Sequence, residues 1–254
     1  MTLKKIDLFT NEFEIIKILS TEFSLSKIFT EDKNLYKIQK KLKKNIFLVR
    51  SQKKIVQIKP SDCSLAISYG FGIIFTNEII KKYKEGIWNI HTGDLPKYRG
   101  RHPITAAFLN NEKKIGLSIH SINEKIDQGY LLAKYFVKRT YQDDEFSIKK
   151  KLLKNIKKSI NTARINFKKK NVSKILKGNY YKPFYNGINI TDSKNFNYIF
   201  IYNAAKAQKC FEGIRVNGKK YYDAIFYSKK KVDNSNKTII CQNNKKLILV
   251  KKKW

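Results

Sequence analysis

The run Ser64-Leu65-Ala66-Ile67-Ser68-Tyr69, closed by Gly70-Phe71-Gly72, sets the tightest limit on what this chain can fold into. It is mostly apolar and too short for a helix, so it reads as a central parallel strand covered on both faces. Such a strand requires helices on both sides of a sheet, and the chain around it must then alternate strands with helices. The two glycines permit a sharp turn at the strand's carboxyl end, where backbone can approach a ligand closely.

The flanking sequence meets that requirement. Ile6-Asp7-Leu8-Phe9 reads as an opening strand, followed by a helix with Phe13, Ile16, Ile18 and Leu19 at roughly helical spacing. Ser26-Lys27-Ile28-Phe29 starts a second unit with a helix from Leu35 to Leu42, and Ile46-Phe47-Leu48-Val49 is a short third strand. No G-x-G-x-x-G follows the first strand, so a nicotinamide dinucleotide site has no support. Beyond the central strand come a helix from Asn77 to Lys84, the strand Trp88 to His91, and a helix from Ile104 to Asn110. The alternating strand Gly116-Leu117-Ser118-Ile119-His120, a polar turn from Glu124 to Gly129, and a strand from Tyr130 to Val137 follow. Asp143-Asp144-Glu145 places acids where a helix N-terminus favours negative charge, and Leu152, Leu153, Ile156, Ile160, Ala163 and Phe167 mark one apolar face of a packing helix. From about Asn179 the texture becomes short β-like runs: Asn197 to Ile201, Ile214 to Val216, Tyr221 to Tyr227, Thr238 to Ile240 and Leu247 to Val250, with Asn217-Gly218 as a hairpin turn. The expected fold is α/β, a Rossmann-like, mostly parallel sheet domain over residues 1–178 with a small β-rich region over 179–254.

Composition narrows the function. No apolar run approaches the roughly 20 residues that span a bilayer, and Asp7, Glu12 and Glu14 interrupt the N-terminus where a signal peptide would keep an unbroken apolar core. Three scattered cysteines (Cys63, Cys210, Cys241) form no C-x-x-C pair, which fits a reduced cytoplasmic protein without a structural zinc. The net charge of +34 invites a nucleic-acid reading. Against it, only 6 of the 54 basic residues are Arg, and the excess of Lys, Ile, Asn, Tyr and Phe is what AT-rich codons produce. The basic concentration is Phe146 to Thr191, which holds 13 Lys and Arg and no Asp or Glu. It is either a solvated helix face or a platform for a polyanion.

Chemistry gathers in Gly86 to Pro103. Alternation along Trp88-Asn89-Ile90-His91 sends Asn89 and His91 to one face at a strand end, and Pro103 opens the following helix where its missing N–H costs nothing. An isolated Asn-x-His is more often a structural amide and a satisfied imidazole than a site. Here the pair has company. Asn89-Ile90-His91, Leu95-Pro96-Lys97-Tyr98-Arg99-Gly100 and Pro103, followed by Gly116 to His120 and Ile126-Asp127-Gln128-Gly129, together resemble the folate-dependent formyltransferase family. The pattern is N-x-H-x-x-x-L-P-x-Y-R-G-x-x-P with a D-x-G turn about 36 residues after the His. The resemblance covers residues 64 to 137 well and the N-terminal units in pattern only. The Tyr-Arg-Gly form looks more like the methionyl-tRNA and nucleotide-sugar N-formyltransferases than like the glycinamide ribonucleotide enzyme. Arg101-His102-Pro103 and the region Ala204 to Tyr227 are similar to the sugar enzymes. Gly93-Asp94 stands where many members carry Ser-Leu, and the glycine-rich first turn of the tRNA enzymes is missing.

The resemblance implies N10-formyltetrahydrofolate as formyl donor and the amine of a nucleotide-linked amino-deoxy sugar as acceptor, for surface polysaccharide such as O-antigen. Methionyl-tRNA is the second acceptor, and a non-enzymatic RNA-binding protein on a degenerate scaffold is a third reading. By the same resemblance Asn89 hydrogen-bonds the formyl oxygen, His91 steadies the oxyanion and moves protons, and Asp127 accepts protons and orients His91; a homodimer is compatible with the family. Asp127 read alone is an ordinary turn residue. Tyr69, Gly70, Phe71 and Gly72, with Asp127, would hold the donor's pterin, or the four form a plain strand-to-helix turn. Tyr98, Arg99, Arg101 and His102 face the acceptor, unless Arg99 braces its loop through backbone carbonyls and His102 merely caps the helix. His120 reads as structural. No metal is expected, because His91, His102 and His120 match no ligand spacing.

Overall fold

The computed structural model describes residues 4–38, 41, 44–228 and 236–251. Contacts divide the chain into two units, the first built from Met1–Arg99, Gly116–Tyr135 and Leu153–Asn179, the second from Gly100–Ile115, Phe136–Leu152 and Tyr180–Trp254.

In chain order the elements are β1 (Lys5–Thr10), α1 (Phe13–Ser20), β2 (Ser24–Thr30), α2 (Lys33–Lys37), β3 (Ile46–Leu48), α3 (Gln52–Val56), β4 (Ala66–Tyr69), α4 (Asn77–Ile80), β5 (Ile87–His91), β6 (Arg99–Gly100), α5 (Pro103–Leu109), β7 (Lys114–Ser121), β8 (Tyr130–Lys138), α6 (Glu145–Leu153), α7 (Ile156–Lys168) and β9 (Ser173–Lys174). After them come β10 (Tyr180–Tyr181), β11 (Ile188–Ile190), α8 (Tyr198–Gln208), β12 (Ile214–Val216), β13 (Lys219–Tyr221), β14 (Asp223–Phe226), β15 (Asn236–Ile240) and β16 (Lys246–Val250). The end of the helix expected to reach Leu42 lies outside the described residues.

The eight-stranded sheet runs β3-β2-β1-β4-β5-β7-β8-β9. Its first five strands are parallel neighbours, while β5–β7 and β8–β9 are antiparallel. This is the mostly parallel α/β sheet expected from the sequence. The chain winds outward from β1 to β3, then returns to β4 on the other side of β1, so the strand order reverses between β1 and β4. Ligands in such sheets bind beyond the carboxyl ends of the strands near that reversal.

The central strand is buried at every position, as its apolar run demands. One face carries Phe9, Phe29, Phe75, Ile79, Tyr83 and Ile87. Phe9 stacks on Phe29 at 4.8 Å and meets Phe75 edge-on at 4.9 Å. In α7, Ile156, Ile160 and Ala163 are buried and Phe167 packs against Trp88 at 5.2 Å. Asp7 breaks the apolar pattern of β1 without leaving an unpaired carboxylate. It accepts from the Lys27 and Ser61 N–H groups at 3.2 and 2.9 Å and from the Tyr83 hydroxyl at 3.0 Å.

In the second unit, Ile201, Tyr202, Ala204 and Ala205 of α8 form a core with Ala224, Leu247 and Leu249. Here the sequence reading needs two corrections. Asn197 to Ile201, expected as a strand, begins α8. The Asn197 side chain caps the helix by accepting from Ile199 N at 2.8 Å, and the alanine-rich turn downstream propagates it. The single packing helix expected after residue 145 is two helices, separated at Asn155, whose backbone (φ −103°, ψ 1°) leaves the helical region.

Candidate functional site

Three neighbouring elements of the first unit supply the site: the end of β5, the end of β7 and the turn after β7. The antiparallel register of β5 and β7 sets Asn89 opposite His120 and His91 opposite Ser118. Alternation then puts Asn89, His91, Ser118 and His120 on one sheet face. Ser118 locks the loop after His91 by donating to Gly93 O at 2.7 Å and accepting from Leu95 N at 3.1 Å.

Asp127 completes the group. Its Oδ1 lies 3.9 Å from His91 Nδ1 and 3.5 Å from His120 Nε2. The backbone at Asp127 is left-handed (φ 54°), a conformation costing a non-glycine residue on the order of 1 kcal/mol or more. Gly129 follows against the Ser121 carbonyl, where a Cβ would overlap that oxygen, so the turn can close this tightly only with glycine.

Partners assign the protons. His91 Nε2 is 2.7 Å from the Tyr98 carbonyl and must donate to it, which in the neutral ring leaves the lone pair on Nδ1, facing Asp127. His120 Nδ1 is 2.9 Å from Ser121 O and donates likewise, so Nε2 accepts from Asn89 Nδ2 at 3.2 Å. Asn89 keeps its second amide hydrogen for another acceptor. Burial pushes the His91 imidazole below its ordinary range, and the His120 ring adds to that; the Asp127 carboxylate and the Tyr98 carbonyl act against it. A neutral His91 that gains a proton acquires a donor aimed at Asp127, and so does His120. The arrangement can take a proton from a nucleophile and stabilise the resulting imidazolium.

Of the expected donor-side residues, Tyr69 is buried and Phe71 packs against Phe9 and Phe75 at 5.5 and 5.7 Å. The turn presents backbone rather than side chains, and it is tied down. Gly70 is left-handed (φ 59°), its carbonyl accepts from Asn11 Nδ2 at 3.1 Å, and Gly72 N donates to Glu31 Oε2 at 2.5 Å. Asn11 Nδ2 also donates to Glu31 Oε2 at 2.8 Å, so the residues just beyond β1 and β2 hold the turn beyond β4.

On the expected acceptor side, Tyr98 is buried and its carbonyl serves His91. Arg99, 9% exposed, donates to the carbonyls of Ile126 (Nη2, 2.7 Å; Nε, 3.2 Å) and Gly178 (Nη1, 3.4 Å). Arg101 and His102 belong to the second unit. There the exposed Arg101 donates to the Tyr185 hydroxyl, and His102 (φ 57°) accepts from Phe184 N at 3.1 Å between the Phe184 and Phe211 rings. Burial, then Arg101, holds the His102 imidazole below its usual range. Asp94, at the position where Ser-Leu is common, pairs with Lys134 at 2.7 Å.

The sequence missed His120, Asn11 and Glu31 as parts of this constellation. His120 carried a signal: Ser118 and His120 alternate with buried Leu117 and Ile119. Asn11 and Glu31 each follow directly on a strand end. Among the described residues, no group of three or more His, Cys, Asp or Glu is arranged to hold a metal ion, and no helix is long and apolar enough to cross a membrane.

A family model described as formyl transferase matches residues 26–163. The bifunctional polymyxin resistance protein ArnA of Wigglesworthia glossinidia brevipalpis is 34% identical over 109 residues, 43% of this chain and 16% of that protein. A methionyl-tRNA formyltransferase of Prochlorococcus marinus is 32% identical over 128 residues, 50% of this chain and 36% of that one. The chain thus spans well under half the length of these curated relatives. Among solved structures, WlaRD, a sugar 3N-formyl transferase crystallised with dTDP and 5-N-formyl-THF, aligns with TM-score 0.68 and 19% identity over 99% of this chain and 98% of its own. An N-formyltransferase of Helicobacter canadensis in complex with folinic acid and dTDP-3-aminofucose gives 0.69 and 16% over 99% and 100%. At such identities the likeness is one of fold.

Proposed function

We propose, for a chain that belongs to the formyl transferase family, that it moves the formyl group of N10-formyltetrahydrofolate to the amine of a nucleotide-linked amino-deoxy sugar, such as dTDP-4-amino-4,6-dideoxyglucose, for surface polysaccharide synthesis. The observation that carries this reading is the cluster of Asn89 and His91 on β5, His120 on β7 and Asp127 in the turn after β7. Folate-type donors in two structural neighbours support the donor, and the dTDP ligands of those neighbours support the acceptor. Both neighbours cover 99% of this chain, second unit included.

The steps follow from the proton inventory. The acceptor amine attacks the formyl carbon as a neutral nucleophile, and the carbonyl electrons move onto oxygen, where the second amide hydrogen of Asn89 stabilises them. The amine must then lose a proton. Neutral His91 offers Nδ1, and the imidazolium so formed sits 3.9 Å from Asp127, an attraction of about 4 kcal/mol at an effective dielectric of about 20. His120 offers the same oxygen a second proton path. The proton then returns to the departing N10 nitrogen, completing transfer. The Tyr69 to Gly72 turn and Asp127 are the donor-side residues of this reading. On the acceptor side, Arg101 has the guanidinium suited to a pyrophosphate, and His102 lies next to it in sequence.

The test incubates the pure protein with the folate donor and either a panel of dTDP-amino-dideoxyhexoses or methionyl-tRNA, following formylated product by mass. Product from a sugar is expected. Formylation of the tRNA alone overturns the acceptor assignment, and a loss below about tenfold for Asn89→Ala or Asp127→Asn overturns the catalytic one.

A further inference from the structure

Arg99 is a buried cation whose described partners are two backbone carbonyls and one side-chain amide. Nε and Nη2 converge on Ile126 O at 3.2 and 2.7 Å, and Nη1 reaches Gly178 O at 3.4 Å. With the Gln128 amide oriented so that its oxygen faces the guanidinium, that oxygen accepts from Nη1 and Nη2 at 2.8 Å each. One planar fork therefore grips the residue before Asp127 and the residue after it. Between those two grips the backbone turns left-handed at Asp127. Left-handed backbone at a non-glycine residue persists only where its surroundings over-determine it, and a charge taken out of water stays charged only where acceptors replace the water. Each need is met by the other. The preceding residue contributes as well, since Tyr98 O holds His91 Nε2 at 2.7 Å. Two consecutive residues thus fix the imidazole and the carboxylate that must meet.

We propose that Arg99 is a positioning residue: by clamping Ile126 and Gln128 it holds the Asp127 carboxylate against His91 and His120, rather than binding the acceptor. The proposal rests on the catalytic reading of Asp127 given above, and a readout independent of turnover separates the two.

The experiment takes the full chain as wild type, Arg99→Met, Arg99→Lys, Asp127→Asn and the Arg99→Met/Asp127→Asn double variant. The His91 ring is titrated by NMR, and formyl transfer to a dTDP-amino sugar is measured in parallel. Asp127→Asn lowers the His91 midpoint by about one unit or more, since an opposite charge at this range shifts a neighbour by that much. Arg99→Met is expected to reproduce most of that fall, and the double variant to fall no further than Asp127→Asn. Its kcat drops about a hundredfold, the scale of a misplaced catalytic group, with acceptor KM within about twofold, and Arg99→Lys recovers part of the loss. A wild-type His91 midpoint in Arg99→Met, beside a shifted one in Asp127→Asn, overturns the proposal. So does a raised acceptor KM at unchanged kcat, which marks Arg99 as an acceptor contact. If Arg99→Met does not fold, Arg99→Lys is read by the same two criteria. Should the wild type formylate none of the acceptors offered, the catalytic reading fails while the titration still decides whether Arg99 places Asp127.

Discussion

Glu145 offers a quantitative check on the second unit. It was expected to act as one of three acids at a helix N-terminus, and Asp144 does so, accepting from Ser147 N at 2.8 Å. Asp143 closes the preceding turn by accepting from Thr140 N at 2.8 Å and takes the Ser147 hydroxyl at 2.8 Å. Glu145 instead turns inward, 8% exposed, to Thr105 Oγ1 at 2.5 Å, with Gln208 Nε2 on the same hydroxyl at 3.5 Å and Gln208 Oε1 buried without a partner. Burial lifts its carboxyl from 4.5 to about 7, with Thr105 and Lys149 opposing the shift. Between those two values the folded state holds a proton that the unfolded state has released. Unfolding free energy therefore falls as pH rises through this window, and the loss is complete above about 7. A shift of this size corresponds to about 3 kcal/mol, a large part of the 5–15 kcal/mol of a typical domain. Glu145→Gln keeps the shape and removes the titration. It is expected to match wild type near pH 4.5 and to exceed it by about 3 kcal/mol at pH 8. Urea unfolding followed by far-UV circular dichroism at both pH values reads the difference, and taking variant minus wild type cancels the other titrating groups. If that difference does not grow with pH, or if the variant is less stable at pH 8, the buried-acid reasoning is wrong.

Three further outcomes follow from the site. Gly129→Ala drives a Cβ into the Ser121 carbonyl and should cost about 3 kcal/mol, visible as a lowered Tm; an unchanged Tm would contradict the close approach. Because burial holds His91 below its ordinary 6.5, its neutral form survives to lower pH. The acid limb of kcat/KM should lie below 6.5 and move lower still in Asp127→Asn, and a limb above 6.5 would argue against His91 as the proton acceptor. His120→Phe removes the acceptor for Asn89 Nδ2 and the second imidazole beside Asp127. Transfer should drop about tenfold or more, and wild-type rates would return His120 to the structural role its sequence position suggested.

Local patterning determined much of this protein. The apolar run ending at Tyr69, the strand and helix periods around it, and the spacing of Asn89, His91 and Asp127 are short-range properties, and hydrophobic burial forces them into a parallel sheet with chemistry at its carboxyl edge. Asn197 to Ile201 marks a limit of that reading, since an apolar-aromatic run has no period of its own and took the helix its cap and following alanines allowed. Partnerships across long sequence separations were decided only by tertiary structure. His120 joins the site because β7 pairs antiparallel with β5 in one particular register, and a slip of one residue would have turned it to the other face. Arg99 reads in the sequence as either an acceptor contact or a brace on backbone carbonyls, and folding decides which partners it has by bringing Ile126, Gln128 and Gly178 around it. Glu145 reads as a helix-terminal acid until Thr105 and Gln208 close over it. In each case the residue's chemistry is written in the sequence, but its environment, and so its charge, orientation and role, comes from segments far along the chain.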